Sequence, residues 1–272
     1  MLRLVCEENT TLKEFTENNY AQASFAWNTL LKNKDIKVNG KKVGENVRLF
    51  IGDEVSYYLT EKQAQKSVFE IIYEDENILV IDKASGVNSE AVYADLRRKK
   101  GGGCGFIHRL DRNTMGLMVF SLNEKTESEL LTSFKERTAE KIYHALCFGA
   151  PKKKQEVLTA YLRKDKDKAK VQIFDFPKEN TEKIVTEYSV LESYGERTKL
   201  KILLHTGKTH QIRAHLSHIG CPVVGDMKYG DEQKNKMLHC SRQQLVSYSL
   251  QFFNLKYLGY LNGKVFQSNS DI

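Results

Sequence analysis

The sequence predicts an α+β fold with a largely antiparallel, mixed sheet, together with a small α/β module in the first 60 residues. Short strand-like segments follow one another in pairs joined by turn residues, which is typical of hairpins. Only a few helical segments lie between them, whereas parallel α/β folds alternate strands and helices regularly. A polar stretch after residue 60 separates the small module from the rest of the chain.

The bulk composition indicates a soluble protein with one large domain and a small companion. The chain has 272 residues, of which 40% are hydrophobic, enough for a sizeable core. No stretch approaches the ~20 consecutive apolar residues of a membrane helix, and the first residues lack a secretory signal. The five cysteines show no close pairing, which favours free thiols. We expect a cytoplasmic monomer with no membrane partner.

Basic residues outnumber acidic ones, 42 to 35, and they are clustered. Runs occur at Arg97–Lys100, at Lys152–Lys154 and in RKDKDKAK, which begins at Arg163. Such runs fit contacts to a polyanion such as RNA. Each run taken alone fits a solvated, charged loop equally well.

Residues 1–60 have the pattern of a separate module. The segment TLKEFTENNYAQASFAWNTLLKN spaces its apolar residues as helices do. In IKVNGKKV an Asn39-Gly40 pair predicts a tight hairpin turn, and a second strand pair follows with a turn at Gly52-Asp53. The polar residues 61–67 are predicted to link this module to a larger domain at 68–272.

The larger domain is predicted to begin with two strands and an acidic turn in FEIIYEDENILVIDKASG. The segment HCSRQQLVSYSLQFF has mixed periodicity and is not assigned to a strand or a helix. Between these two segments, an irregular loop is predicted first, followed by a strand at Leu117–Ser121 and a helix with Thr126 as a possible cap. A strand in KIYHALCFG, two strands separated by the Tyr194-Gly195 turn, and a short helix from His210 are predicted next.

Charged residues stand directly before the apolar strand in GFIHRLDRNTMGLMVF, namely His108, Arg109, Asp111 and Arg112. Charged groups at the mouth of a buried strand are typical of active sites, because the scaffold fixes them. The flanking arginines favour the ionised form of Asp111, and such a carboxylate is a competent nucleophile. A salt-bridged loop that only anchors the strand is the alternative interpretation.

A second cluster of basic side chains lies in LLHTGKTHQIRAHLSHIGCPVVGDMKYG, at His205, Lys208, His210, Arg213, His215 and His218. Its spacing matches no usual zinc pattern, so a metal site is disfavoured. A phosphate-binding surface is favoured, with Thr209 capping a helix whose N-terminal amides would attract an anion.

The third segment, KIYHALCFG, places Tyr143 on a strand with Lys141 two residues before it on the same face. An aromatic ring beside a cation can stack on a nucleobase. A tyrosine buried in the core is the alternative interpretation.

Together these three motifs resemble the RluA-type pseudouridine synthase family, from about Phe69 to Gly230. HRLDRNTMGL is similar to the family's catalytic-aspartate motif, KIYHALCFG to its tyrosine motif, and TGKTHQIRAHLSHIGCPVVGDMKYG to its arginine motif and the following loop. The resemblance implies a pseudouridine synthase catalytic domain at 68–272 that isomerises uridine in structured RNA. It implies no cofactor, metal or nucleotide, and the sequence has no Walker loop or dinucleotide fingerprint.

The resemblance also implies roles for single residues. Asp111 would attack the target nucleoside, Tyr143 would stack on the uracil and help move a proton, and Arg213 would pair with Asp111. Arg109 would fill the gap left by the flipped base. The remaining expected substrate contacts are His108, Lys208 and His210, with Leu238 as an aliphatic wall of the pocket.

The first 60 residues resemble the S-four-type RNA-binding module in LLKNKDIKVNGKKV and IGDEV, although Glu14 and Glu17 stand where that family carries basic residues. The larger domain departs from the RluA-type pattern at three places. The run Lys83-Ala84-Ser85 replaces the usual Lys-Pro, so the loop Asn88–Gly103 is expected to be shaped differently. Met115 replaces a Ser, and the stretch from Lys152 to Lys183 matches the family poorly.

An S-four-type module beside such a domain favours large-subunit ribosomal RNA as the substrate. Transfer RNA is the alternative substrate, and an inactive RNA-binding or ribosome-assembly factor is the alternative class of protein. A phosphotransferase is disfavoured, because His108-Arg109-Leu110-Asp111 is one residue longer than the His-Arg-Asp of kinases and no Gly-rich loop precedes it.

Overall fold

The computed structural model of the protein describes residues 1–165 and 169–272, so Lys166, Asp167 and Lys168 of the predicted basic run lie outside the described residues. The helices are α1 Leu12–Asn19, α2 Ala21–Phe25, α3 Trp27–Asn33, α4 Glu61–Ala64, α5 Ser89–Lys100, α6 Glu124–Glu136, α7 Gln211–His218 and α8 Glu232–Met237. The strands are β1 Leu2–Val5, β2 Thr10–Thr11, β3 Ile36–Val38, β4 Lys41–Val43, β5 Arg48–Leu49, β6 Glu54–Tyr57, β7 Phe69–Glu74, β8 Ile78–Lys83, β9 Gly105–Phe106, β10 Met115–Ser121, β11 Ala139–Phe148, β12 Gln155–Asp165, β13 Lys170–Phe174, β14 Glu182–Tyr194, β15 Arg197–Leu204, β16 Leu245–Phe252 and β17 Val265–Gln267.

The chain forms two compact units, each assembled from two segments of the sequence. The first comprises Met1–Glu70 with Gly86–Cys104, and the second comprises Ile71–Ser85 with Gly105–Ile272. The polar segment at 61–67 begins with the short helix α4. The first unit also takes in Gly86–Cys104, which lies beyond residue 67. The division into domains at 1–60, 61–67 and 68–272 stays a prediction.

The first unit is a small α/β module. Its four-stranded sheet has the order β1-β6-β3-β4, and each of its ladders is antiparallel. Asn39 and Gly40 have φ angles of 49° and 77°, the left-handed backbone that a tight turn between β3 and β4 requires. Its core contains Leu12 of α1, Leu30 of α3 and Tyr57 of β6, all fully buried. Burial of these apolar side chains is what holds such a small module together.

The segment Asn88–Gly103, which was expected to form a loop, is helical for most of its length. Helix α5 buries Ala91, Val92 and Leu96. The basic run Arg97–Lys100 forms its last turn, where cations interact favourably with the helix dipole. The expectation was wrong because these few apolar positions are too sparse to reveal a helical period.

The second unit is built on an 11-stranded sheet. Its main order is β13-β12-β14-β15-β11-β16-β10-β8-β7, with β17 paired to β16 and β9 paired to β10. The strand ladders described in this unit are antiparallel, apart from the parallel pair of β10 and β16. This architecture confirms the predicted α+β class with a mostly antiparallel mixed sheet.

Two predicted helix caps were wrong. Helix α6 follows Asn123, whose side chain accepts the backbone N–H of Thr126, so Thr126 lies inside the first turn. Helix α7 follows His210, which has a left-handed φ of 54° and no capping hydrogen bond from its side chain. The cap position is therefore His210, and Thr209 lies one residue before it.

A hydrophobic core of the second unit joins several strands of the sheet to helix α6. It includes Val80 of β8, Leu117 of β10, Leu130 of α6 and Phe252 of β16. Across the described part of the chain, every helix is too short or too polar to cross a membrane.

Candidate active site

The charged loop that precedes β10 lines a cavity of about 470 Å³ in the second unit. That volume lies within the ~300–1,000 Å³ typical of small-ligand sites. The other walls come from α6, β11, the loop between β15 and α7, α7 itself and the first residue of β16. The predicted site residues that line it are Asp111, Tyr143, Arg213, Arg109, His108, Lys208 and His210.

The loop that carries Asp111 is held by the end of β8. The Lys83 side chain is fully buried, and its Nζ donates to the backbone carbonyl of Arg112 at 3.1 Å. The Ser85 hydroxyl donates to the carbonyl of Asn113, also at 3.1 Å. The run Lys83-Ala84-Ser85, which departs from the family pattern, therefore fixes the backbone on the C-terminal side of Asp111.

Arg213, on α7, connects Asp111 to a second carboxylate. Its Nη1 donates to Asp111 Oδ2 at 2.9 Å, and its Nε and Nη2 donate to the two oxygens of Asp226 at 2.6 and 3.0 Å. The side chains of Arg213 and Asp226 are 7% and 0% exposed, whereas that of Asp111 is 24% exposed. Burial opposes the charge on Arg213, but the two carboxylates outweigh it and raise the pKa of Arg213 further.

Asp226 is a site residue that the sequence analysis missed. Its Oδ1 also accepts the backbone N–H groups of Lys228 and Tyr229, at 2.8 and 3.0 Å. Burial disfavours its charge, but Arg213 and these two donors prevail and lower the pKa of Asp226. The available signal was an acid placed directly after the apolar run of CPVVG, within the same motif as Arg213.

Tyr143 lies on β11 with 6% of its surface exposed. The pairing of β11 with β16 shifts by a β-bulge between Ile142 and Tyr143, and bulges re-aim side chains beside functional sites. Burial, opposed by a hydrogen bond with Ser247 and assisted by the charge of Asp111, raises the pKa of Tyr143 to about 12. The hydroxyl therefore stays protonated at neutral pH. Tyr143 is both a buried tyrosine and a wall of the cavity.

His108 has a structural contact that the sequence did not predict. Its Nε2 lies 3.1 Å from the backbone nitrogen of Val119 on β10 and accepts its N–H. The ring stacks on Phe134 of α6 with their centroids 4.6 Å apart. Burial and the nearby charge of Lys141 lower the pKa of His108 to about 3, so the ring is neutral at physiological pH. One ring nitrogen is thus committed to the scaffold, while the rest of the ring lines the cavity.

The other predicted substrate contacts lie on the rim of the cavity. Arg109 is exposed beside the Asp111 loop. The Lys208 ammonium is paired with the carboxylate of Glu182 on β14. His210 Nδ1 lies 2.9 Å from the hydroxyl of Tyr229, and burial lowers the pKa of His210.

Two other histidines of the basic cluster have separate partners. His205 Nε2 contacts Glu187 at 2.9 Å, and His218 Nε2 contacts Asp175 at 2.7 Å. Within the ranges 1–165 and 169–272, no group of three or more His, Cys, Asp or Glu side chains is arranged to hold a metal ion.

Leu238 does not line the cavity, contrary to the prediction. It follows helix α8 and is 49% exposed. Leu245, which is the first residue of β16 and 2% exposed, forms the wall instead. Helix α8 contributes no residue to the lining of this cavity, whereas the next strand, β16, contributes Leu245.

A paired aspartate and arginine beside a buried tyrosine, in the order predicted from the three motifs, defines a class of RNA-modifying enzyme. The chain belongs to the RNA pseudouridylate synthase family, whose model matches residues 30–218. The resemblance to the RluA-type branch is thereby confirmed, and the protein is an isomerase that converts uridine to pseudouridine in RNA.

Relatives of known sequence and structure agree with this assignment. The chain is 32% identical over 231 residues to "Ribosomal large subunit pseudouridine synthase C" of Rickettsia bellii, covering 75% of this chain and 76% of that protein. It is 34% identical over 280 residues to an "Uncharacterized RNA pseudouridine synthase" of Aquifex aeolicus, covering 91% and 87%. Among solved structures, "Human RNA Pseudouridylate Synthase Domain Containing 1" superposes with a TM-score of 0.61 at 28% identity, covering 69% of this chain and 80% of the human chain.

Proposed function

We propose that this enzyme isomerises specific uridines in large-subunit ribosomal RNA, with Asp111, Tyr143 and Arg213 as its catalytic residues. The observation that carries the catalytic assignment is the 2.9 Å bond between Arg213 and Asp111 at a cavity that Tyr143 also lines. The ribosomal substrate is supported by the name of the similar Rickettsia bellii protein.

The reaction exchanges one bond of the nucleoside for another. The bond from N1 of uracil to C1′ of ribose breaks, a bond from C5 to C1′ forms, and the C5 proton is replaced by a proton on N1. Asp111 is the group that acts on the sugar or the base, because its carboxylate is partly exposed and is held in place by the hydrogen bond from Arg213. Tyr143 stacks on the freed uracil while the base turns, and its protonated hydroxyl takes part in the proton transfer.

The target uridine must leave its helix to reach this cavity. Flipping a base costs a few kcal/mol, which phosphate contacts and stacking in the pocket offset. Arg109 occupies the vacated position in this proposal, which is supported by its exposure and by its place in the lining of the cavity. His108, Lys208 and His210 supply further contacts along the walls of the cavity.

Two alternatives make different predictions. A transfer-RNA substrate would leave the catalytic residues in the same roles and change only the RNA that is modified. An inactive ribosome-assembly factor would bind RNA without needing Asp111. The connected Asp111, Arg213 and Asp226 favour an active enzyme, because a binding protein has no use for a carboxylate held in this way.

The test is carbodiimide-based mapping of pseudouridine in total RNA from cells with and without this gene. Wild-type protein, Asp111→Asn and Leu238→Ala are each expressed in the deletion strain. We expect a large-subunit ribosomal site to be lost and then restored by wild type and by Leu238→Ala, which lies outside the cavity. Asp111→Asn should not restore it, although the purified variant should still fold and bind RNA.

Each other outcome selects an alternative. Loss of a transfer-RNA site would replace the ribosomal substrate, and restoration by Asp111→Asn would remove Asp111 from the mechanism. Loss of no site, with ribosome assembly impaired, would support the binding factor.

A cytoplasmic location, a monomeric state and RNA binding by the first 60 residues are also proposals. The five free cysteines support a reducing compartment. Cell fractionation, light scattering and RNA titration of a variant with altered module surface residues, such as Lys41→Glu, test them in turn.

A further inference from the structure

A second cavity, of about 490 Å³, adjoins the first in the same unit. The two share Phe134, Lys135, Lys141, Gly207 and Lys208. Of the site residues predicted from the sequence, Lys208 alone also lines the second cavity, and none of the proposed catalytic residues does.

The second cavity is strongly basic. Its cationic side chains are Lys135, Arg137, Lys141, Lys183 and Lys208. Among the described residues that line it, the one carboxylate, Glu182, is already paired with Lys208, and the histidine, His205, is paired with Glu187. In the described part of the chain, Lys135, Arg137, Lys141 and Lys183 have no ion-pair partner. Charges of one sign that face each other across a cavity repel, so this arrangement costs folding free energy unless an anion occupies the space.

Lys141 is the most unusual of these cations. It lies on β11 two residues before Tyr143, and only 8% of its surface is exposed. Its Nζ lies 5.1 Å from the centroid of the Phe134 ring, and it makes no hydrogen bond to another described residue. Burial, and then the charge of Arg137, lower the pKa of Lys141, so its surroundings disfavour the charged ammonium.

We propose that the second cavity is a phosphate subsite, in which Lys141 binds a backbone phosphate of the nucleotide whose base occupies the first cavity. A nucleotide carries its phosphates on the sugar, beside the base, so a base in the first cavity brings a phosphodiester to the neighbouring cavity. Lys141 lines both cavities and therefore reaches the junction between them. The inference rests on the proposed function, because it takes the base in the first cavity to be the target uracil.

The side chains around Lys141 extend this site. Lys135 and Arg137, at the end of α6, and Lys183, on β14, are exposed at the open side of the cavity. Exposed cations attract the RNA strand at long range, whereas a desolvated ammonium forms the stronger, charge-assisted hydrogen bond. The subsite would thus position the target nucleotide as well as attract the strand.

The experiment compares three probes with the full-length protein by calorimetric titration: uridine, uridine 3′,5′-bisphosphate and inorganic phosphate. The variants are Lys141→Gln and Lys256→Gln, the latter an exposed lysine that lines neither cavity. We expect Lys141→Gln to weaken bisphosphate binding about tenfold, the effect of losing one charge-assisted hydrogen bond, and to change uridine binding much less. Lys256→Gln should bind all three probes as wild type does.

A second pair of variants keeps the test decisive if Lys141→Gln does not fold. Lys141→Met keeps an unbranched apolar side chain at this position, and Lys183→Gln removes an exposed cation from the same cavity. We expect Lys141→Met to match Lys141→Gln, and Lys183→Gln to weaken bisphosphate binding about threefold, as for an exposed ion pair. Bisphosphate binding equal to wild type in every folded variant would overturn the subsite. If inorganic phosphate bound as tightly as the bisphosphate, the cavity would be a site for a free anion unconnected with the nucleotide, which would also overturn the proposal.

A chemical double-mutant cycle then tests the contact in RNA. The RNA segment that contains the target uridine, as identified by pseudouridine mapping, is synthesised in several versions. Each version carries a neutral methylphosphonate in place of one of the phosphates that flank this uridine. If Lys141 binds one of these phosphates, Lys141→Gln and that methylphosphonate should each raise KM about tenfold, and together no more than either alone. Additive effects at every position would contradict the contact. Failure of the proposed function would appear differently, as bisphosphate binding that depends on Lys141 without turnover of any RNA.

Discussion

Arg213 divides its N–H donors between two carboxylates that differ in burial. The fully buried Asp226 takes two of them and the partly exposed Asp111 takes one. A bidentate bond fixes the plane of a guanidinium group, so Arg213 presents Nη1 to Asp111 at a constant angle. Asp226 thus acts on Asp111 through Arg213 and is a positioning residue that does not line the cavity.

Replacing Asp226 with Asn should lower kcat roughly 10- to 100-fold, the usual effect of losing an outer partner of a catalytic group, while KM changes less. Asn keeps the size of the side chain but removes the charge that holds Arg213. The measurement is single-turnover kinetics on the mapped RNA. Asp231→Asn is the matched control, because Asp231 caps α8 and Asn caps helices equally well. An equal rise in KM with kcat unchanged would contradict the positioning role.

Replacing Tyr143 with Phe should keep RNA binding and slow the chemical step about 100-fold or more, the typical contribution of a positioned proton donor. The ring that stacks on uracil remains, whereas the hydroxyl that burial keeps protonated is lost. Binding and single-turnover rates separate the two effects. Tyr248→Phe, on β16 outside the cavity, is the control. A wild-type rate for Tyr143→Phe would leave stacking as the only role of the residue.

At the scale of secondary-structure elements, the site depends on the parallel pair of β10 and β16. The Asp111 loop leads into β10, and β16 supplies both Leu245 and Ser247. The strands approach closely at Gly116, where a Cβ atom would lie 2.3 Å from the backbone oxygen of Ser247. The φ of Gly116 is 104°, which side chains rarely adopt. Only glycine therefore allows the two strands to pair at this position.

The substitution Gly116→Ala should destabilise the protein by about 2–4 kcal/mol, combining backbone strain with overpacking. Gly263→Ala separates the two causes, because Gly263 has a φ of 79° but open space around it. Its expected cost is about 1 kcal/mol, from strain alone. Urea unfolding followed by circular dichroism gives both values. Equal costs for the two variants would show that the strands move apart easily to admit a methyl group.

The sequence predicts elements well where one face is buried and the other is solvated. The alternation along β14 and the turn at Gly195 are examples, because the burial pattern of the strand alternates. It fails for β16, whose residues are buried on both faces and show no alternation. Because this strand was not recognised, the aliphatic wall of the cavity was predicted at Leu238. The structure has it at Leu245, the first residue of β16.

The candidate site divides in a similar way. Asp111, Tyr143 and Arg213 could be found because their motifs are specific and each lies beside a recognisable element. Asp226 was missed, because an acid after CPVVG does not by itself indicate its partner, and the pairing of Arg213 with a residue 13 positions later depends on the path of the loop after α7. The role of Lys83 likewise depends on β8 and the Asp111 loop being neighbours, which spacing along the chain does not reveal.

At the scale of the whole molecule, buried neutral histidines link the stability of the fold to pH. His215, on α7, is 2% exposed, and its Nδ1 lies 3.0 Å from the hydroxyl of Thr186. Burial, and then the charge of His218, lower the pKa of His215 to about 4. The unfolded chain takes up a proton on this residue near pH 6.5, whereas the folded chain does not. Stability from His215 is therefore full above pH 6.5 and is lost as the pH falls towards 4.

Between pH 7.5 and pH 5.0 the wild type should lose about 2 kcal/mol of its free energy of unfolding through His215. His215→Gln cannot take up a proton, so its loss over the same range should be smaller by that amount. Urea unfolding at the two pH values, for both proteins, gives the four free energies needed. His239→Gln, for which the structure describes no buried partner, is the control and should follow the wild type. Equal losses in wild type and His215→Gln would contradict the linkage.

The arginine shared between Asp111 and Asp226 also constrains how this chain can evolve. Losing Arg213 alone would leave the buried Asp226 without its cation, at a cost of roughly 3–5 kcal/mol. Replacing both residues with apolar ones of matching volume would cost far less, because no buried charge would remain. A change at position 226 that is harmful beside Arg213 thus becomes beneficial once Arg213 is lost, which is sign epistasis. Relatives that have lost the activity should therefore carry substitutions at both position 213 and position 226. Relatives with a substitution at only one of these positions should be rare.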